Sequence, residues 1–205
     1  MSTASSRLLR IDASARTDGS HSRRLGDLVE AQWLRANPHG ERVRRELTRG
    51  APPHIAEATI QGFYTPPGQL TPALREATSL SDALVAELRA ADTLLIASPM
   101  YNYGPPSALK AWVDQIVRVG HTFLYDAQGP RGLLQTRLVV LALVSGVPGT
   151  LGSAVDFLSP HLESVFKFMG VQRVATLHVD GTSGPADHVE AAMAAAERDA
   201  HTLFA

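Results

Sequence analysis

The strongest constraint on this chain is a rhythm. Short apolar runs recur along it, separated by stretches with the spacing of amphipathic helices. The runs are Leu8-Leu9-Arg10-Ile11, then the alternating Arg42 to Leu47, then Thr93 to Ala97, Leu138 to Val144, and Val174 to Val179. The third and fourth are nearly unbroken in apolar residues, as strands covered on both faces of a parallel sheet must be. The alternating second run reads as an edge strand. Between the runs, Leu25, Leu28, Val29 and Trp33 share a helix face, as do Leu74, Ala77, Leu84, Val85 and Leu88. Leu109, Trp112, Val113, Ile116 and Val117 give the clearest period. Leu158, Leu162, Val165, Phe166 and Met169 supply a fourth helix, and the alanine-rich stretch from Pro185 to about Thr202 a fifth. Strands and helices in alternation predict one doubly wound α/β domain over residues 1–205.

Residues 50–72 break the rhythm. They carry Pro52-Pro53, Pro66-Pro67 and Pro72, and they are long for a plain connection. They read as a surface excursion, either a lid or a segment with no role beyond packing.

In an open sheet of this type, ligands bind beyond the carboxyl ends of the strands, where the strand order reverses. For the order 2-1-3-4-5 that point lies between strands 1 and 3, so the loops after strands 1, 3 and 4 should carry the chemistry. The first runs from Asp12 to Ser22 and is rich in hydroxyls. Ser14, Ser20 and Ser22 can donate to phosphate oxygens, and the start of the following helix favours an anion. Capping alone would account for Ser20 but does not call for Ser14. The loop lacks the glycine pattern of a pyrophosphate cradle, G-x-G-x-x-G, and the chain lacks G-x-x-x-x-G-K-[ST]. A phosphate monoester fits better than a dinucleotide.

The second loop, Ser98 to Pro106, brings Pro99, Met100, Tyr101, Asn102 and Tyr103 to the sheet mouth. Amides, aromatic rings and an asparagine there suit a planar heterocycle. Pro105 and Pro106 suit the first turn of the next helix. The third loop, Ser145-Gly146-Val147-Pro148-Gly149, contains glycines that let backbone approach a ring closely.

Together these loops resemble the FMN-dependent azoreductases, a branch of the flavodoxin-like quinone reductases. The residues that carry the resemblance are Ser14 and Ser20-His21-Ser22, Pro99-Met100-Tyr101-Asn102-Tyr103, and Ser145-Gly146. Supporting stretches are Leu70-Thr71-Pro72, Leu109 to Asp114, Thr122 to Tyr125, and Gly129-Pro130. The resemblance spans essentially the whole chain and implies a flavodoxin-like fold with tightly bound FMN. It implies that Ser14, Ser20, His21 and Ser22 hold the phosphate. Pro99 to Tyr103 would line the ring, and Ser145, Gly146, Val147 and Pro148 would close its far edge. It further implies NADH or NADPH as donor, a quinone or azo compound as acceptor in a ping-pong cycle, and a homodimer with each flavin near the interface. Tyr64, Tyr125 and Phe168 would border the substrate, with Tyr64 reaching it from the partner subunit. His121, also assigned to that space, is a candidate proton donor, because imidazole titrates near neutrality. The match departs at His21, where glutamine is commoner, and at Tyr103, where phenylalanine is. It also departs at His121, where a small apolar residue is typical, and at Pro148, which has no N–H to donate.

Composition removes other classes. The chain has no cysteine, which excludes thiol catalysis, disulfides and Fe–S ligation. Its eight histidines show no metalloprotease spacing, so no metal site is expected. A net charge of −1 gives no sign of a nucleic-acid or membrane-surface partner. Met1 to Arg7 is polar, and no apolar run nears the roughly 18 residues of a membrane span, so a cytoplasmic protein is expected. Two rival functions share the fold. One is a flavodoxin-type electron carrier, disfavoured by the near-neutral charge and the length. The other is a reductase that releases reduced FMN to a partner. A flavin-free hydrolase using the serine loop lacks any nucleophile–base pairing.

Overall fold

A computed structural model describes residues 6–205. Most of the polar stretch Met1 to Arg7, part of the basis for the cytoplasmic expectation, lies in residues 1–5, outside the described residues. Five strands form one parallel sheet: β1 (Arg7–Asp12), β2 (Glu41–Glu46), β3 (Thr93–Pro99), β6 (Leu138–Val144) and β7 (Arg173–Val179), in the order β2-β1-β3-β6-β7. This is the expected order, since β6 and β7 are the fourth and fifth apolar runs of the sequence. One register row runs Ile11, Ile96, Leu141, Thr176.

Two elements depart from the expected alternation. An antiparallel hairpin, β4 (Phe123–Asp126) and β5 (Gly129–Gly132), is inserted before β6. The excursion also contains its own helix, α2 (Glu57–Tyr64), and a 3₁₀ turn at Pro67–Gln69. The remaining helices are α1 (His21–Ala36), α3 (Pro72–Ala90), α4 (Ser107–Ile116), α5 (Ser159–Phe168) and α6 (Ala186–Phe204). Pro106 stands at the cap of α4, just ahead of its first turn, and Pro105 precedes it.

Period-2 alternation sorts the strand side chains between two cores. Leu94 and Ile96 of β3, with Val139, Leu141 and Leu143 of β6, pack beneath α3, α4 and α5. Leu95, with Leu138, Val140, Ala142 and Val144, packs beneath α1 and α6. α2 docks on α3 so closely that a Cβ on Gly62 would lie 2.5 Å from Thr78 Cγ2. The Arg118 guanidinium stacks 4.8 Å from the Phe63 ring centroid and pairs with Asp82 of α3.

A cluster of charges sits inside the second core, centred on one arginine. Arg10 of β1 is 1% exposed and points towards α1. Its Nη2 lies 2.9 Å from Asp12 Oδ1, and its Nη1 lies 2.6 Å from Asp27 and 2.8 Å from Glu30. Burial pulls the Arg10 pKa down, but Asp12, then Asp27 and Glu30, outweigh this and leave it raised. Gly26 makes room for the guanidinium. A Cβ there would lie 2.8 Å from Ala97 Cβ and 2.9 Å from Arg10 Nη2. Helix propensity alone would make Gly26→Ala stabilising by about 1 kcal/mol. Overpacking reverses the sign, and we expect a net loss of about 1–3 kcal/mol, read as a lower urea midpoint; a variant of equal or higher midpoint would contradict this packing.

Candidate functional site

The first cavity at the carboxyl edge of the sheet measures about 270 Å³. It is built where β1 ends and α1 begins. Ser14, Arg16, Ser20, His21 and Ser22 form one wall, and Pro99, Met100 and Tyr101 another. Val144, Gly146, Thr182 and Ser183 close it from the loops after β6 and β7. Its lining is rich in donors and includes no carboxylate. Ser14 Oγ accepts the Arg16 N–H at 3.2 Å, which leaves its own O–H free to donate. Ser20 does cap α1, accepting the Arg23 N–H at 3.4 Å, and its Oγ also lies 3.2 Å from Ser22 Oγ. The first N–H groups of α1 have no carbonyl within the helix to bond. A pocket rich in donors and free of carboxylates at a helix N-terminus fits a phosphate.

The wall from β3 ends in a tight turn. Tyr101 N and Gly104 O, and Gly104 N and Tyr101 O, are each 3.0 Å apart. The central residues are both left-handed, Asn102 at φ 49° and Tyr103 at φ 67°. This is the form of a type I′ turn. Asparagine accepts that backbone readily; tyrosine does so at a cost of about 1 kcal/mol. The turn is pinned from outside, because Met100 N donates to Val144 O at 2.8 Å and Phe157 N to Tyr103 O at 3.0 Å. The N–H groups of Met100 and Tyr101 are therefore spent. Those of Asn102, Tyr103 and Gly146 pair with no backbone carbonyl.

The loop after β6 is zipped to the loop after β7. Thr182 N and Oγ1 both donate to Ser145 O at 3.1 Å, and Ser183 N donates to Gly146 O at 3.2 Å. Ser145 Oγ is turned inwards on its own loop, accepting from Val147 N. Asp156 anchors the far end of this loop. Its carboxylate accepts N–H groups from Gly152 at 2.8 Å and from Leu158 and Ser159 at 2.9 Å. Burial raises its pKa, but these N–H groups prevail and hold it below the usual carboxylate range.

A second cavity, about 990 Å³, adjoins the first across Tyr101. Asn102, Ser107, Lys110, Phe157 and His161 are among its lining residues. Burial and then Lys110 lower the His161 pKa. Beyond α4, the hairpin carries Phe123, whose ring centroid is 4.6 Å from Phe168 and 5.6 Å, edge-on, from Tyr125. The hairpin docks backbone to backbone: a Cβ on Gly132 would overlap the Met169–Gly170 peptide.

Of the residues expected from the sequence, Ser14, Ser20, His21, Ser22, Pro99, Met100, Tyr101 and Gly146 meet at the first cavity. Asn102 lies on the second. Tyr103 and Val147 are exposed at the rim, Ser145 is buried behind it, and Pro148 packs near Gly181. Tyr64, His121, Tyr125 and Phe168 line neither cavity. Tyr64 is exposed at the end of α2. His121 sits in the turn before β4, where burial and the Arg118 charge lower its pKa. Sequence reasoning missed Arg16, Thr182 and Ser183. The signal for the last two was a second hydroxyl-bearing loop after a strand, Asp180-Gly181-Thr182-Ser183.

Comparison with known proteins agrees with the fold. The family described by its flavodoxin-like fold matches residues 6–203. A protein of Xanthobacter autotrophicus named FMN-dependent NADH:quinone oxidoreductase is 48% identical over 171 residues, 82% of each chain. One of the same name from Hydrogenovibrio crunogenus is 37% identical, covering 86% of this chain and 89% of its own. Among solved structures, an azoreductase from Bacillus anthracis superposes with a TM-score of 0.87 at 23% identity, over 97% of this chain and 98% of its own. An FMN-dependent NADH-azoreductase from the same species, in complex with FMN, gives 0.83 at 22% identity, over 98% of this chain and 100% of its own.

Asp156 yields a pH-dependent prediction. With its folded pKa lowered, its stabilisation is complete above the ordinary aspartate value and is lost as the pH falls through the lowered one. Asp156→Ala should cost about 1–2 kcal/mol at neutral pH and much less in acid. Urea unfolding of both proteins across that range checks it, and a gap that does not shrink with acid would exclude this role.

Proposed function

The chain belongs to this flavodoxin-like family, and we propose that it is an FMN-dependent NADH:quinone oxidoreductase that also accepts azo compounds. The observation that carries the reading is the serine-lined cavity at the start of α1, continuous with the Pro99–Tyr101 wall. It pairs a phosphate cradle with an aromatic platform at the switch point of the sheet. The relatives of the same name support the choice of cofactor and donor.

Ser14, Ser20, His21 and Ser22 hold the phosphate, with help from the α1 dipole. Pro99, Met100, Tyr101, Asn102 and Tyr103 position the ring from one side. Ser145, Gly146, Val147 and Pro148 bound it on the other, with Ser145 acting through the loop it stabilises. When bound there, FMN would supply the two-electron hydride chemistry. The protein contributes fixed donors for the charge that arises. The unspent N–H groups of Asn102, Tyr103 and Gly146 are the ones available. Pro148 adds none. The pinned I′ turn keeps the platform from reorganising between the two half-reactions.

The substrate side is assigned to Tyr64, His121, Tyr125 and Phe168 in a homodimer, with Tyr64 contributed by the partner subunit. Exposure of Tyr64, Tyr125, Val147, Val155 and Phe157 supports a covered surface. The residues act as one domain. No helix among the described residues is long and apolar enough to cross a membrane; that and the absence of cysteine favour a cytoplasmic enzyme.

The purified protein should carry flavin absorbance that survives gel filtration. NADH should bleach it within seconds under anaerobic conditions, and menadione should restore it, with parallel-line kinetics. Slow bleaching would point to an electron carrier, and loss of flavin on the column to a flavin-releasing reductase. Sedimentation should give twice the chain mass; a monomer at micromolar concentration would overturn the shared site.

A further inference from the structure

The phosphate cradle described above is short of positive charge. A phosphate monoester carries about −1.5 to −2 at neutral pH. The serine hydroxyls and helix N–H groups that face it are neutral donors, and the helix end supplies about half a charge. Arg16 is the one arginine or lysine that lines the cavity.

Its neighbours are engaged elsewhere. Arg10 is held by Asp12, Asp27 and Glu30 beneath the loop. Arg23 pairs with Glu46, and Arg24 with Glu190. The Arg16 guanidinium has no carboxylate partner among the described residues. Its backbone, in contrast, is clamped on both sides. Arg16 N donates to Ser14 Oγ at 3.2 Å, and Arg16 O accepts from Arg23 Nε at 2.9 Å. Arg23 Nη2 also donates to Ser14 O at 3.1 Å. Two carbonyls of the loop are thus drawn to Arg23. A fixed backbone carries a free, exposed cation at the mouth of a pocket built for an anion.

We infer that Arg16 is the cationic partner of the cofactor phosphate, and that through it the apoprotein selects phosphorylated over unphosphorylated flavin. The inference rests on the FMN reading. Arg23 is a positioning residue in this arrangement, acting through the loop backbone. The geometry gives Arg16 a planar fork of donors suited to two phosphate oxygens at once.

The test is flavin binding to the apoprotein, followed by fluorescence quenching, with FMN and riboflavin as probes at low and high salt. Arg16→Ala should weaken FMN binding about tenfold at low salt and leave riboflavin within twofold. It should also flatten the salt dependence of FMN binding, because one screened ion pair is gone. Arg16→Lys should recover part of the loss, since it restores charge without the fork. Arg16 is exposed, so the variants should retain the wild-type melting temperature. Unchanged FMN affinity in Arg16→Ala, or equal weakening of both flavins, overturns the assignment while the FMN reading stands. A wild-type apoprotein that binds riboflavin as tightly as FMN, or binds neither, overturns the FMN reading and this inference together.

Discussion

The buried guanidinium of Arg10 is the interaction on which the site end of the sheet depends. A charge in an apolar core is tolerable only with partners at hydrogen-bond distance, and removing one partner leaves the others stranded. Here the partners come from two elements, and a third extends the network. Asp12 shares the strand, Asp27 and Glu30 belong to α1, and Arg42 and Arg44 reach Glu30 from β2. Burial opposes ionisation of Glu30, but Arg44 and Arg10 prevail and lower its pKa. The network fixes α1 over the β1–β2 pair, and with it the point where the phosphate loop turns into the helix. A leucine at position 10 alone would strand the buried Asp12 and Glu30 carboxylates, whereas apolar residues at all of these positions would give a comparable core without this register between strand and helix. The buried charges therefore specify geometry more than they add stability.

Legibility in the sequence follows how local each element's signal is. The five sheet strands are long apolar or alternating runs, and their order is one of the two common to doubly wound sheets. The loops at the switch point follow from that order. The hairpin was not legible, because Gly129-Pro130-Arg131-Gly132 has none of the β-branched residues that mark a strand. Its pairing comes from the adjacent turn and from docking on α5. Helix α2 escaped because Ile60 and Phe63 are too few to set a period between two proline clusters. Arg10 itself reads as an interruption in an apolar run, and only the distant Asp27 and Glu30 give it meaning.

The candidate site divides in the same way. Its phosphate end is local: Ser14 and Ser20 to Ser22 lie within one short loop, and the sequence marks them plainly. The proposed ring and substrate ends are assembled from distant segments. Thr182 and Ser183 reach the first cavity only because β7 lies beside β6. Tyr103 is held by Phe157, and Tyr125 meets Phe168 through Phe123. Such contacts follow from strand neighbours and helix ends, which no spacing along the chain encodes.

The docking of Gly132 on Gly170 has a consequence for how the protein can change. Two backbones meet there without side chains between them, and Leu134 N donates to Met169 O at 3.0 Å. The attachment of the hairpin to α5 is thus indifferent to the identity of its outward residues. The exposed Arg131 can be exchanged without shifting the frame that presents it, whereas either glycine cannot; Asp126, which accepts the Gln128 N–H at 2.9 Å, belongs to the turn itself. The hairpin behaves as a replaceable blade in a fixed holder, so the exposed residues at its tip can drift while its seat on α5 stays as it is.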